Sequence, residues 1–177
     1  MSELPVTASR IESVRKMPDI IAPAGARIHI LRVNVLLDQP WHEALETLLP
    51  YNGGERILNV GNCFVPTGAG EEEQEHILLN HPAGKYNAGY HWELAQNWAV
   101  EEGFTRTVPR EVFAIGRQYP ELHKELGLNS MRVVATTDRN IGGEQACFVR
   151  WYCGKREAGV ALVHQFSVRS DWFAFRR

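Results

Sequence analysis

The sequence predicts a single α+β domain with a mostly antiparallel sheet, and three observations carry that prediction. Apolar residues alternate with a period of two after Arg27 and again after Asn129, they recur at helical spacing through the middle of the chain, and polar Gly-containing turns separate the C-terminal segments. The domain is expected over residues 27–177, with a helical middle segment and a C-terminal β-hairpin plus final strand. Residues 1–26 are polar with scattered apolar positions and are expected to form a flexible N-terminal arm.

In chain order, Leu31, Val33, Val35 and Leu37 alternate in a β-branched-rich stretch and predict a strand over 27–37. Asp38-Gln39-Pro40 then predicts a helix start, because an acidic cap and an early proline both suit the unpaired amide end. Trp41, Ala44, Leu45, Leu48 and Leu49 form one apolar stripe, and Pro50 closes it. Asn52-Gly53-Gly54 is a turn signal before a strand expected over 57–65. Gly68-Ala69-Gly70 leads into Glu71-Glu72-Glu73-Gln74-Glu75, an acidic run that suits a helix N-terminus and predicts a helix reaching Leu79. A second helical region runs from Gly89 to Glu102, with Gly103 as its stop. A third starts at Thr107 and Pro109, carries Val112, Ile115, Tyr119 and Leu122 on its apolar face, and is divided by Pro120 before Gly127.

Beyond Asn129 the period becomes two. Met131, Val133 and Ala135 define one strand, and Asn140-Ile141-Gly142-Gly143 turns the chain. Residues 145–153 and 159–168 flank the polar turn Gly154-Lys155-Arg156-Glu157-Ala158 as a hairpin. With Cys153 opposite Val160, this register sets Trp151 against Leu162, Val149 against His164 and Cys147 against Phe166. A final strand is expected over Trp172–Arg176.

Composition narrows the functional classes. A chain of 177 residues with 44% hydrophobic residues can bury roughly 70% of its unfolded surface, so its core requires neither metal nor disulfide. Cys63, Cys147 and Cys153 are odd in number and contain no CxxC pair, which fits reduced thiols. No secretory signal pattern, no spanning apolar stretch and no glycosylation sequon is present, so a cytoplasmic protein without membrane partners is expected. The net charge of −2 is unevenly spread: residues 1–103 hold 7 Lys+Arg against 14 Asp+Glu, and residues 104–177 hold 12 against 7. Fifteen of the 19 cations are arginine, the side chain that pairs bidentately with carboxylate and phosphate.

The motifs that define common chemistries are missing. Gly68-Ala69-Gly70 precedes glutamates instead of the lysine a phosphate loop needs, and no G-x-G-x-x-G opens a helix. The seven histidines form no zinc-ligand spacing, so no metal and no cofactor is expected. The nearest approach to a catalytic cluster is His76, His81, His91 and Glu93, in which His91 would act as general base with Glu93 on the same side of an extended segment, joined by His81. Cys63 reads as a small buried hydrophobe, and the expected hairpin register would let His164 meet Cys147 or Cys153.

The basic half carries the leading expectation. Phe148, Arg150 and Tyr152 share the hairpin face opposite the cysteines, and Lys155 and Arg156 extend it. Arginines interleaved with aromatics on a sheet stack and neutralise an anionic polymer. A non-enzymatic binding protein is therefore expected, with nucleic acid or an acidic protein surface as the anionic partner. The alternatives are a small hydrolase or transferase with a His/Glu site in segment 80–93, and an inhibitor or interaction protein using the acidic face around Glu71 to Glu75. Oligomeric state does not follow from the sequence.

Overall fold

The alternating segments assemble into a sheet with helices on both faces. In the computed structural model of the chain, the described residues are 11–13, 19–50, 64–81, 88–140, 144–166 and 170–177. The elements are β1 (Ile11–Ser13), β2 (Arg27–Leu36), α1 (Trp41–Ala44), β3 (Leu49–Pro50), β4 (Glu71–Asn80), α2 (Ala88–Glu101), β5 (Thr105–Arg106), α3 (Pro109–Gln118), α4 (Leu122–Glu125), β6 (Met131–Asn140), β7 (Glu144–Tyr152), β8 (Lys155–Leu162) and β9 (Asp171–Arg176). The nine strands form one sheet in the order β1-β2-β4-β9-β6-β7-β8-β3, with β5 paired to β9 off that path. Pairing is mostly antiparallel, the exceptions being β6 with β9 and β3 with β8. The protein is α+β.

Alternation along each strand divides the core in two. Leu31, Val33, Leu78, Val133, Val149, Trp151 and Trp172 face α3 and α4. Ile30, Ile77, Leu79, Val134, Phe148, Phe173 and Phe175 face α2, where Trp92 and Trp98 pack on them. Helix α3 lies hard against β7, since a Cβ on Gly116 would stand 2.9 Å from Val149 Cγ1. Glycine is thus needed there for approach, although it weakens a helix interior by roughly 0.5–1 kcal/mol relative to alanine.

The strand over 27–36, the helices α2 and α3, the break at Pro120 and the C-terminal strands agree with the sequence. The acidic run does not. Residues 71–80 are not a helix but the whole of β4, paired with β2 at ten positions from Arg27 opposite Asn80 to Leu36 opposite Glu71. The dipole gain that favoured a helix is about 0.3–1 kcal/mol. Burying each of Ile77, Leu78 and Leu79, all 0% exposed, contributes about 1.5–3 kcal/mol, and only a strand sends them alternately to both helical layers.

The helix expected from Trp41 to Leu49 is likewise shortened to Trp41–Ala44, because Leu48 turns into the core and Leu49–Pro50 pairs in parallel with β8. The strand expected over 57–65 lies outside the described residues as far as Cys63, while Phe64 and Val65 are not in a strand. Of the segment 1–26, Ile11–Ser13 pairs with β2 and Ile20 is buried. Among the described residues no helix is long and apolar enough to cross a membrane.

Candidate functional site

The geometry of the basic face is set by the β7–β8 turn. Cys153 has φ 50° and Gly154 has φ 72°, so two left-handed residues close the hairpin and Tyr152 pairs directly with Lys155. Positive φ at both central residues matches the right-handed twist of the flanking strands. The longer turn expected over 154–158 is therefore incorrect, as is the register drawn from it. Trp151 faces Arg156, Val149 faces Ala158 and Cys147 faces Val160.

This register creates a row of four charges across four strands. Glu157 on β8 stands opposite Arg150 on β7, Arg150 opposite Arg132 on β6, and Arg132 opposite Asp171 on β9. The order is carboxylate, guanidinium, guanidinium, carboxylate. Arg132 Nε and Nη2 donate to the two oxygens of Asp171 at 2.5 and 2.7 Å, and Asp171 is fully buried. Arg150 Nε donates to Glu157 Oε2 at 2.6 Å. The Arg132 guanidinium also lies 5.1 Å from the Phe148 ring centroid and 4.8 Å from that of Phe166, so its position is fixed by both charge and stacking. Arg150 lies 5.4 Å from the ring centroid of the exposed Tyr152. A hydrogen bond with Cys153 pushes the Tyr152 phenol above its ordinary pKa.

Around the two arginines opens a cleft of about 250 Å³, lined by Ser130, Met131, Arg132, Arg150, Trp151, Tyr152 and Ser170. Of the residues expected to bind, Arg150 and Tyr152 line this cleft, and Lys155 is exposed beside Tyr152 at the hairpin turn. Phe148 shares their face but is buried under the α2 layer, packed edge-on against Phe166. Arg156 points to the other face, where Arg156 Nη2 donates to the Thr47 carbonyl at 2.9 Å and burial lowers its pKa. Arg132, Asp171 and Glu157 complete the row and were not singled out as a group by sequence reasoning. A two-residue turn at Cys153-Gly154 was the signal that would have aligned Glu157 with Arg150.

The catalytic candidates divide differently. His81 and His91 come together, both buried, with ring centroids 6.5 Å apart. Burial, reinforced by the charge of His91, lowers the His81 pKa. Glu93 does not join them. Segment 88–101 is helix instead of extended chain, so Glu93 is turned about 200° from His91. It is exposed and lines a separate polar cleft of about 500 Å³ with Arg106, Asp138 and Glu144. His81 borders a more apolar cavity of about 300 Å³ between Ile21–Pro23 and the Leu94–Trp98 face of α2.

The Cys/His pair expected on the hairpin does not form. His164 sits exposed on a 3-10 turn at Val163–Gln165, beyond the end of β8, while Cys147 is buried on the α3 side. Cys63 lies outside the described residues. Among the described residues no group of three or more His, Cys, Asp or Glu is placed to hold a metal ion. Comparison of the chain with protein-family models, with curated proteins and with solved structures finds no match in any of the three.

Proposed function

We propose that this is a non-enzymatic binding protein whose ligand-contact site is the Arg132/Arg150 cleft, and that an anionic group of the partner seats between the two guanidiniums. The observation that carries the reading is the cross-strand register of Arg132 with Arg150. Like charges directly opposite each other on a sheet are about 4.5–5.5 Å apart at Cβ and destabilise the pair. Flanking carboxylates relieve this from outside, and an anion bridging the arginines relieves it from within.

Phosphate is favoured over carboxylate by Tyr152. Its ring is 53% exposed at the rim of the cleft, a surface on which a base stacks while its phosphate meets the arginines. Single-stranded nucleic acid is thus the preferred partner, and an acidic protein surface is the competing one. The test is a titration of a labelled single-stranded oligonucleotide and of polyglutamate at two salt concentrations. Arg150→Glu with Lys155→Glu abolishes binding in a folded protein, whereas Arg156→Ala, on the opposite face, leaves it unchanged. Equal binding by both variants overturns the assignment. Tighter binding of polyglutamate than of the oligonucleotide moves the partner to the protein class.

A catalytic reading has one observation in its favour, the convergence of His81 and His91 near a cavity. It predicts turnover that His91→Ala removes and Glu93→Ala leaves intact, since only His91 shares the buried pair.

A further inference from the structure

Every strand exposes main-chain donors and acceptors along both edges, and a sheet that leaves some unpaired offers a template for another strand. The two outermost long strands of the β1-β2-β4 end treat this problem differently. Beyond its short pairing with β1, β2 presents Arg32 and Asn34 to the outside. The Asn34 N–H donates to Gln118 Oε1 at 3.0 Å, Gln118 Nε2 donates back to the Asn34 carbonyl, and the Tyr119 hydroxyl donates to the Arg32 carbonyl at 2.7 Å. Side chains from the end of α3 therefore close that edge.

Among the described residues the opposite edge of β4 is open beyond the end of β9. Strand β9 pairs with β4 only from His76 to Leu79, and one more bond continues the ladder, from the Arg177 N–H to the Glu75 carbonyl at 3.0 Å. Main-chain groups along a strand alternate in direction, so Glu71 and Glu73 point the same way as Glu75. Among the described residues their outward N–H and C=O groups have no strand or side-chain partner. Alongside lies a notch of about 360 Å³ lined by Glu72, Glu73, Gln74, Glu75, Arg176 and Arg177. Gln74 is 5% exposed, and its Oε1 is buried there without a hydrogen-bond partner among the described residues.

We propose that the β4 edge at Glu71–Gln74 binds an extended basic segment of a partner protein by strand addition, in line with β9. Charge selects the occupant. Glu71, Glu72 and Glu73 are all exposed, so a second copy of this edge is repelled, whereas alternating lysines or arginines on an incoming strand share one face of the sheet and meet the carboxylates of Glu71 and Glu73 there. The main-chain groups of Glu71 and Glu73 supply the affinity, and the Gln74 amide oxygen accepts a bond from a donor side chain on the incoming strand. This site shares no residue with the arginine cleft and does not depend on it.

The probe is an acetylated, amidated hexapeptide, Lys-Thr-Lys-Val-Lys-Thr, added to the full chain at low salt, with amide hydrogen exchange read at Glu71 and Glu73. A second peptide carries the same charges but is N-methylated at alternate residues, which removes the main-chain donors along the edge that would face β4. The expected result is slowed exchange at both residues, affinity at least roughly tenfold weaker for the methylated peptide, and loss of binding in Glu71→Lys with Glu73→Lys. Equal affinity of the two peptides overturns the proposal, because attraction without strand pairing does not distinguish them. So does the absence of protection at Glu71 and Glu73, or of any binding.

Discussion

Two sets of buried or half-buried arginines use the same side chain in opposite ways. Arg110, 1% exposed on α3, is spent entirely on main-chain carbonyls. It donates to Leu37 and Val65 from Nη1 at 2.8 and 3.0 Å, to Gln39 from Nε and Nη2, and to Phe64 from Nη2. One guanidinium thereby fastens two loops to one helix. Arg132 and Arg150 are instead matched by carboxylates in a row that borders a cleft. An arginine saturated by carbonyls ties the fold together, while Arg132 and Arg150, each held by a flanking carboxylate, line the cleft where the proposed anion would seat.

The largest test of this contrast is Arg110→Ala. Its removal leaves the carbonyls of Leu37, Gln39, Phe64 and Val65 short of donors, and each orphaned group costs about 1–3 kcal/mol where water cannot replace the bond. The expected loss of folding stability in urea is about 3–5 kcal/mol. Arg110→Lys should recover little of it, since an ammonium lacks the planar fork that reaches several carbonyls at once. Anion affinity per folded molecule should not change in either variant. A cost below about 1 kcal/mol would place Arg110 with the weakly coupled surface cations and end the distinction.

The reverse test removes a carboxylate from the row. Glu157→Gln leaves Arg150 without its charged neighbour, and because the pair is partly exposed the stability change should stay within about 1 kcal/mol. Affinity for an anion should rise by about threefold at low salt, as expected for deleting one like charge several ångströms away in a solvent-rich site. The increase should fade with added salt. Weaker binding in Glu157→Gln would mean that the carboxylate orients Arg150 more than it opposes the ligand.

These contrasts were only partly legible in the sequence. Local signals held where chain and tertiary structure agree: Pro109 and Pro120 bound α3 and its break, Gly127 takes φ 70°, and the period of two after Asn129 marks β6 to β9. Glu71 to Glu75 misled because their helical preference is a local term, whereas β4 is imposed by pairing with β2, whose partners for these residues lie 35 to 43 positions away in the chain. The face shared by Arg150 and Tyr152 was legible from alternation. Its row of charges was not, since register depends on turn length and Cys153 is an uncommon residue at positive φ. That Phe148 is covered by the α2 layer and Arg156 faces away follows from packing that no local pattern encodes.

Unlike the arginines, the half-buried His29 and the buried His81 form no ion pair among the described residues, and their titration gives the smallest expected effect. Burial, with Arg27 nearby, lowers the His29 pKa, and burial with His91 nearby lowers that of His81. Among the described residues His81 Nε2 has no hydrogen-bond partner, and it is buried. In both cases the unfolded chain, with a pKa near 6.5, binds protons more readily than the folded one. Stability therefore rises with pH across the window below 6.5 and is progressively lost as pH falls through it, down to the lowered folded-state values. Urea midpoints measured between pH 5 and 8 should show this slope, and the double variant His29→Gln with His81→Gln should flatten it. An unchanged slope in that variant would assign the acid sensitivity to other groups. A flattened slope with unchanged cleft affinity would show that pH acts on uncompensated buried charge and leaves the carboxylate-matched arginines alone.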